Sequence, residues 1–220
     1  MAKSRRDILR WMATGAVACP TCLSLGVSHA AETGHGGTPW DYTGDGAPDH
    51  WGSLESRFRV CDLGLEQSPI DLQRSLPAEV GAVRPFFRPT PLRILNNGHT
   101  VQVNADEGSY SEIIGQRFEL LQFHFHHPSE HLLNGESFPL EVHFVHRSAA
   151  GHLAVLGVFF REGATNRELA KVFNAMPAQV APERNAGMFV DPERLLPLSR
   201  GYFRYMGSLT TPPCSQGVLW

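Results

Sequence analysis

The sequence has no block of like charge. Its 19 Lys+Arg residues are interspersed with 22 Asp+Glu, for a formal net charge of −3. That excludes a basic tail or run of the kind that binds nucleic acid, and no nucleic-acid partner is expected. There is no internal repeat and no low-complexity tract, which excludes solenoids and arrays. No apolar run is long enough for a membrane span: the one candidate, near the N-terminus, is short and carries Pro20. Cysteine is scarce, with four in 220 residues. Glycine (21) and proline (16) are plentiful. That balance fits a β-rich, loop-rich domain better than a helix bundle. The length suits one domain with a sizeable core.

Residues 1–31 read as an export signal. MAKSRRDILR is basic, WMATGAVACPTCLSLGV is moderately apolar, and SHAA supplies small residues for cleavage near Ala30 or Ala31. Arg5-Arg6, with Ser4 before and Ile8-Leu9 after, resembles the twin-arginine type, so the twin-arginine export machinery is an expected partner. No stable membrane anchor is expected. Ala16 is a poor residue before a lipid-modified Cys19, which argues against lipidation. Cleavage removes Lys3, Arg5, Arg6, Arg10 and Asp7, a net +3, and takes the formal charge from −3 to −6. The mature chain, residues 32–220, is expected in the periplasm or outside the cell.

Cys19 and Cys22 fall in the leader. Cys61 and Cys214 remain, an even pair in an exported chain, and a disulfide between them is expected.

Along the mature chain, 32–52 reads as an extended, glycine-rich entry carrying Trp40, Tyr42 and Trp51. QSPIDL reads as a turn into a strand. RILNNGHTVQV reads as strand, tight turn, strand, because Asn97-Gly98 is a strong hairpin signal. Phe118–Phe125, Leu140–His146 and Leu153–Phe160 are strand candidates. The last, LAVLGVFF, is apolar throughout and is expected to be buried on both faces. One helix stands out. Thr165 and Glu168 form a capping box, Leu169, Val172, Phe173 and Met176 follow with helical spacing, and Pro177 stops it. A short helix is expected to start at Asp191-Pro192. The sum is a sheet-dominated α+β domain.

The chemistry concentrates in QFHFHHPSEH, Gln122 to His131. On a strand, Gln122, His124 and His126 share one face while Phe123 and Phe125 share the other. The two β-carbons then lie roughly 7 Å apart. Two imidazoles at that spacing can converge on one ion at about 2.0–2.1 Å from each nitrogen. LEVHFVH offers a third ligand: Glu141, His143 and Val145 share a face, and an antiparallel return through Asn134-Gly135 would bring His143 to the pair. Three neutral imidazoles with one open position is the pattern of catalytic Zn2+. Gln122 and Glu141 are then placed to accept from the remaining ring N–H groups. His127, His146 and His152 read as surface or structural residues.

The same run, His124-x-His126-x3-Glu130, is also the ligand spacing of a cupin. A cupin wants glycines where Phe118 and Ser137 stand, and its second motif of Pro-x-Gly, histidine and asparagine is not found. Spacing alone leaves both open.

QSPIDL, ILNNGHT, QFHFH, SEH, LEVHFVH, LAVLGVFF, FVDPERLLP and GSLTTPP, in that order, resemble the α-class carbonic anhydrases from about Trp40 to Trp220. The resemblance implies a large twisted, mostly antiparallel central sheet with short peripheral helices. It implies zinc-dependent hydration of carbon dioxide to bicarbonate and a proton by zinc-bound hydroxide, with His124, His126 and His143 as ligands. Thr210 matches the threonine that accepts a hydrogen bond from that hydroxide and passes its own proton to a buried glutamate, here Glu130. Thr211 matches a neighbour of the bicarbonate. His99 matches the proton shuttle, a fitting role for a partly exposed group of pKa about 6.5 that is able to swing. Tyr42, Asn97 and Gln102 match polar positions along the water chain. Val145, Val155, Leu209, Val218 and Trp220 match the apolar wall that receives the substrate. Cys61 and Cys214 match a disulfide of exported members.

Family members continue beyond the matching tryptophan. The resemblance therefore implies that a C-terminal part is missing, including an asparagine carbonyl that supports His126. A catalytically inactive, carbonic-anhydrase-like binding protein is the alternative on that account, and a cupin-type metal protein a remote one.

Overall fold

Alternating side chains build most of this chain. Twelve strands form among the residues that the computed structural model describes, which are 40–73, 76–78 and 81–220. The leader, its arginine pair and its cleavage site lie outside the described residues. The strands are β1 (Asp71–Leu72), β2 (Val83–Phe86), β3 (Thr90–Asn96), β4 (Val101–Asn104), β5 (Tyr110–Ile113), β6 (Gln116–His126), β7 (Leu132–Leu133), β8 (Leu140–Ser148), β9 (Leu153–Phe160), β10 (Ala181–Val190), β11 (Met206–Ser208) and β12 (Gln216–Leu219). Ten form one sheet in the order β10-β3-β4-β6-β8-β9-β12-β11, with β5 also on β6 and β2 on β5. Of its pairings only β12 with β9 is parallel. β1 and β7 form a separate parallel ribbon. The helices are short: α1 (Trp51–Leu54), α2 (Val60–Leu63) and α3 (Arg167–Ala175), with 3-10 turns between strands. This is the expected sheet-dominated architecture.

One face of the sheet is the core. Phe123, Phe125 and Phe144 are buried there with Leu92, Ile94, Val103 and Val142. Each such side chain contributes roughly 1.5–3 kcal/mol on burial. Helix α3 packs against this face through Val172, with Leu169, Phe173 and Met176 at its margin. The buried stripe follows the helical spacing, but the helix starts one residue later than the capping box implies. Asn166, not Thr165, is the N-cap: its side-chain oxygen accepts from the backbone N–H of Glu168 and Leu169. Glu168 instead binds Lys171 Nζ and the N–H of Asp191. Asp191 caps the short 3-10 helix Pro192–Leu195, as expected.

Three further details differ from the sequence reading. The described part of the entry is not extended but coils through 3-10 turns Gly44–Gly46 and Pro48–His50 into α1. Strand β9 is not buried on both faces: only Ala154 and Val155 are buried, and Gly157 is exposed. Its outer edge pairs at one position only, Ala154 with Leu219, so the rest of that edge has no strand against it among the described residues. Strand β6 is not a simple alternation. Leu120 pairs with His146 and Gln122 with Val145, which leaves Leu121 as an extra residue. Such a bulge reverses which parity faces the core. Phe118 and Leu120 face inward before it, and Phe123 and Phe125 after it.

The turn between β3 and β4 forms where Asn97-Gly98 predicted it. Gly98 has φ +94°, a value that favours glycine. The side-chain oxygen of Asn97 accepts from the N–H groups of His99 and Thr100. Cys61, in α2, is bridged to Cys214, as expected, across a sequence separation of 153.

Candidate metal centre

The bulge at Leu121 turns Gln122, His124 and His126 onto the face opposite the phenylalanines. The return strand β8 then places His143 directly across from His124, and Glu141 across from His126. Each of His124, His126 and His143 offers one ligand atom within 4.8 Å of the other two. One nitrogen of His124 and one of His143 already have a hydrogen-bond partner. His124 Nδ1–H donates to Gln122 Oε1 at 2.8 Å. His143 Nε2–H donates to Glu141 Oε1 at 2.8 Å. His126 Nδ1 lies 3.3 Å from Glu130 Oε1. His126 Nε2 is buried with no hydrogen-bond partner, an orphaned lone pair that fits a metal ligand.

Electrostatics suit the same use. Burial lowers the pKa of His124 to about 3, aided by His143. Burial lowers His126 well below the usual range, and His143 as well. All three rings are therefore held neutral, the form that binds a cation. For Glu141, burial alone would raise the pKa. Donation from His131 and His143 outweighs it, and the carboxylate stays ionised. Burial raises Glu130 to about 8, with Thr210 opposing as a hydrogen-bond donor. Glu130 Oε2 is buried without a hydrogen-bond partner. A bound dication would pull the Glu130 value down.

The apolar and polar surroundings fall at defined places. Val145 is one alternation beyond His143 on the same face, and Val155 pairs with it across β8–β9. Trp220 stands edge-on to His143, ring centroids 4.8 Å apart, its indole N–H on Ser208 O. Val218 is buried and pairs with Gly207, while Leu209 and Thr211 are half-buried around the β11–β12 turn. Gln102 pairs with His124 across β4–β6 and donates to Asn104 Oδ1. Asn97 spends its side-chain oxygen on its own turn, so only its NH2 group is left for a water chain. His99 is less free than expected. It stacks flat on Trp40, centroids 3.5 Å apart, and its Nδ1 is buried without a partner. Burial lowers its pKa, and Asp41 opposes. Tyr42 lies edge-on, 6.3 Å from His99.

Sequence reasoning missed His131, Tyr205, Ser68 and Trp40 as parts of the site. His131 Nδ1 is 2.9 Å from Glu141 Oε1, and its Nε2 is 2.6 Å from Tyr205 OH. The position of His131 directly after Glu130 was the one available signal. Nothing in the spacing of Ser68 or Tyr205 points to the site.

Three neutral imidazoles on a sheet floor, His126 and His143 buried and His124 half-buried, two of them braced from behind by hydrogen bonds, define a metalloenzyme centre. Comparison with known proteins says which kind. The family model of the eukaryotic-type carbonic anhydrases matches residues 46–220. A carbonic anhydrase of Pectobacterium atrosepticum is 44% identical over 181 residues, covering 82% of this chain and 74% of that protein. One from Nostoc sp. is 45% identical over 187 residues, covering 82% and 71%. The solved α-carbonic anhydrase of Thermovibrio ammonificans, in complex with sulfanilamide, superposes with TM-score 0.80 at 45% identity, covering 84% of this chain and 83% of that one. The chain belongs to the eukaryotic-type, or α, carbonic anhydrases, a family of metalloenzymes.

Proposed function

We propose that this protein reversibly hydrates carbon dioxide to bicarbonate and a proton, with Zn2+ held by His124, His126 and His143. The observation that carries the reading is the convergence of three neutral rings with a buried, unpartnered His126 Nε2 among them. Zinc in such a site acts as a Lewis acid and lowers the pKa of a bound water from about 15.7 to near 7, the value established for carbonic anhydrase itself.

The chain's own residues do the rest. Gln122 and Glu141 fix the tautomers of His124 and His143 and aim His124 Nε2 and His143 Nδ1 inward. Thr210, buried beside Glu130, orients the attacking oxygen through a directional hydrogen bond. Val145 and Val155, with Leu209, Val218 and Trp220, offer an apolar carbon dioxide a place without strong hydrogen bonds, and Thr211 borders the product. His99 receives the departing proton through water held by Tyr42, Asn97 and Gln102, and swings off Trp40 to release it. The basic leader carries the protein to the periplasm or beyond by the twin-arginine route. The disulfide agrees with an oxidising destination.

The test is stopped-flow hydration of carbon dioxide by the zinc-loaded protein, beside its His143→Ala variant. Activity lost in the variant supports the reading. Stoichiometric zinc binding with no hydration by the unaltered protein would instead indicate a non-catalytic binding protein.

A further inference from the structure

The turn that carries His99 is held by two adjacent asparagines, and only Asn97 belongs to the proton path described above. Asn97 Oδ1 accepts from the N–H groups of His99 at 3.0 Å and Thr100 at 2.8 Å. Asn96 Oδ1 accepts from the N–H of Gly98 at 3.0 Å. The three consecutive N–H groups of residues 98–100 therefore all end on side-chain oxygens. Asparagine offers this local arrangement readily, because its short side chain reaches the backbone just ahead of it.

Asn96 also makes a tie that Asn97 does not. Its Nδ2 donates to the carbonyl of Pro177 at 3.3 Å, across 81 residues. Pro177 follows α3, whose Val172 is fully buried in the core. The Asn96 carboxamide fits one way round. Turned over, it would set its NH2 against the N–H of Gly98 and its oxygen against the Pro177 carbonyl. The same stretch meets the turn a second time. A β-carbon on Gly98 would lie 3.4 Å from Val180 Cγ2, at a backbone φ of +94° that already favours glycine. On its other side the turn is pinned through Thr100, whose hydroxyl donates to Phe125 O at 2.7 Å, between His124 and His126 on β6.

The backbone of His99 is thus held between the end of α3 and the strand that carries two of the metal-site histidines. Its ring is not held in the same way. It rests on the face of Trp40, and its Nδ1 has no hydrogen-bond partner to keep it there. A ring that swings on a fixed backbone moves between a few rotamers only. On a loose turn the backbone would move as well, and the ring would lose its registry with the water that delivers the proton.

We propose that Asn96 is a positioning residue for proton transfer: its carboxamide clamps the Asn97–Gly98 turn to the end of α3 and so fixes the backbone from which His99 swings. The proposal rests on the reading of His99 as the proton carrier.

The experiment follows turnover of carbon dioxide by the zinc-loaded full protein in dilute buffer, with imidazole then added stepwise. Maximal turnover in dilute buffer reads the export of the proton, and kcat/KM reads the hydration step. Asn96→Ala is expected to lower the first by about three- to tenfold, the population shift that losing one or two hydrogen bonds produces. It should leave kcat/KM unchanged and regain turnover with imidazole. Asn185→Ala is the control. Asn185 Oδ1 likewise accepts from a glycine N–H two residues on, that of Gly187 at 2.9 Å, but on an exposed stretch of β10, and its loss should change neither quantity. Asn96→Ser keeps an acceptor for Gly98 and gives up the reach to Pro177. It carries the test if Asn96→Ala does not fold, with an expected loss of about threefold. Dilute-buffer turnover equal to that of the unaltered protein, or a loss shared by kcat/KM and not recovered with imidazole, would overturn the proposal alone. If His99→Ala also left dilute-buffer turnover unchanged, or the unaltered protein hydrated no carbon dioxide, the proton-carrier reading and this proposal would fall together.

Discussion

Gln122→Ala and Glu141→Ala each remove the acceptor behind one metal ligand, yet the structure predicts different kinds of damage. Gln122 accepts one hydrogen bond, from His124 Nδ1 at 2.8 Å, and both residues are only half-buried. Water can replace the lost acceptor. The ring loses its fixed tautomer and orientation, and the expected cost is about tenfold in zinc affinity, or about 1.4 kcal/mol. The fold itself should hardly notice. Glu141 is 1% exposed and accepts four hydrogen bonds, from His143 Nε2, His131 Nδ1 and two backbone N–H groups. Water cannot enter to replace it. Each orphaned buried donor costs about 1–3 kcal/mol, so four cost at least about 4 kcal/mol. That is a large share of the 5–15 kcal/mol that is typical of a whole domain. At about 2–4 °C per kcal/mol for a chain of this size, the melting temperature should fall by about 8 °C or more.

Calorimetric melting of the zinc-free proteins, beside chelator competition for zinc, separates the two effects. Gln122→Ala should melt within about 2 °C of the unaltered protein and bind zinc more weakly. Glu141→Ala should melt far lower or fail to accumulate. Equal melting points for the two variants would refute the reasoning, because the difference between one half-buried partner and four buried ones is its whole basis.

Three other outcomes follow from the same geometry. His99→Ala should lower maximal turnover in dilute buffer and recover with added imidazole, since the ring's only assigned task is to carry a proton; no recovery would remove that task. Reducing the Cys61–Cys214 bridge frees a loop with a sequence separation of 153, worth about 5 kcal/mol in the chain-entropy limit. Melting should drop by about 10–20 °C in reductant, and a drop of only a few degrees would contradict it. His146 is fully buried, bonded to Ser111 Oγ and Phe144 O, and burial lowers its pKa to about 4. The unfolded chain binds that proton near pH 6.5, so stability is complete above pH 6.5 and falls, by roughly 3 kcal/mol in all, as pH drops to about 4. His146→Gln should flatten that part of the stability–pH curve, and an unchanged slope would show that the ring is not its source.

How far the sequence could be read depended on how local each feature was. The alternation of imidazole and phenyl rings was legible because period two is a property of a strand alone. The bracing by Gln122 and Glu141 was legible for the same reason: each is two residues from the ligand it holds. The cap of α3 was misplaced by one residue because Thr165 and Asn166 both qualify, and only the docked helix shows which oxygen reaches the free N–H groups. Burial of β9 was overestimated because a run such as LAVLGVFF reads the same whether its outer edge is covered or open. His131, Tyr205 and Ser68 were invisible as a unit, since Tyr205 lies 74 residues from one partner and 137 from the other. Sequence spacing carries no information about a contact that only the closed fold brings about.

The bulge shows why the centre needs more than alternation. Strand β6 runs eleven residues and must bury Phe118 and Leu120 at one end and Phe123 and Phe125 at the other, all on one face. Strict alternation cannot do this, because the first pair is even-numbered and the second odd. The doubled leucine at 120–121 absorbs the mismatch, and the extra residue falls immediately before Gln122. From that point the even positions are free of the core, and Gln122, His124 and His126 occupy them in order. The histidines therefore displace no core side chain, and the phenylalanines behind them are closely packed. Rigidity on one face and metal-binding chemistry on the other follow from one inserted residue. A metal centre built on such a strand inherits the precision of the sheet, which a loop of the same composition would not provide.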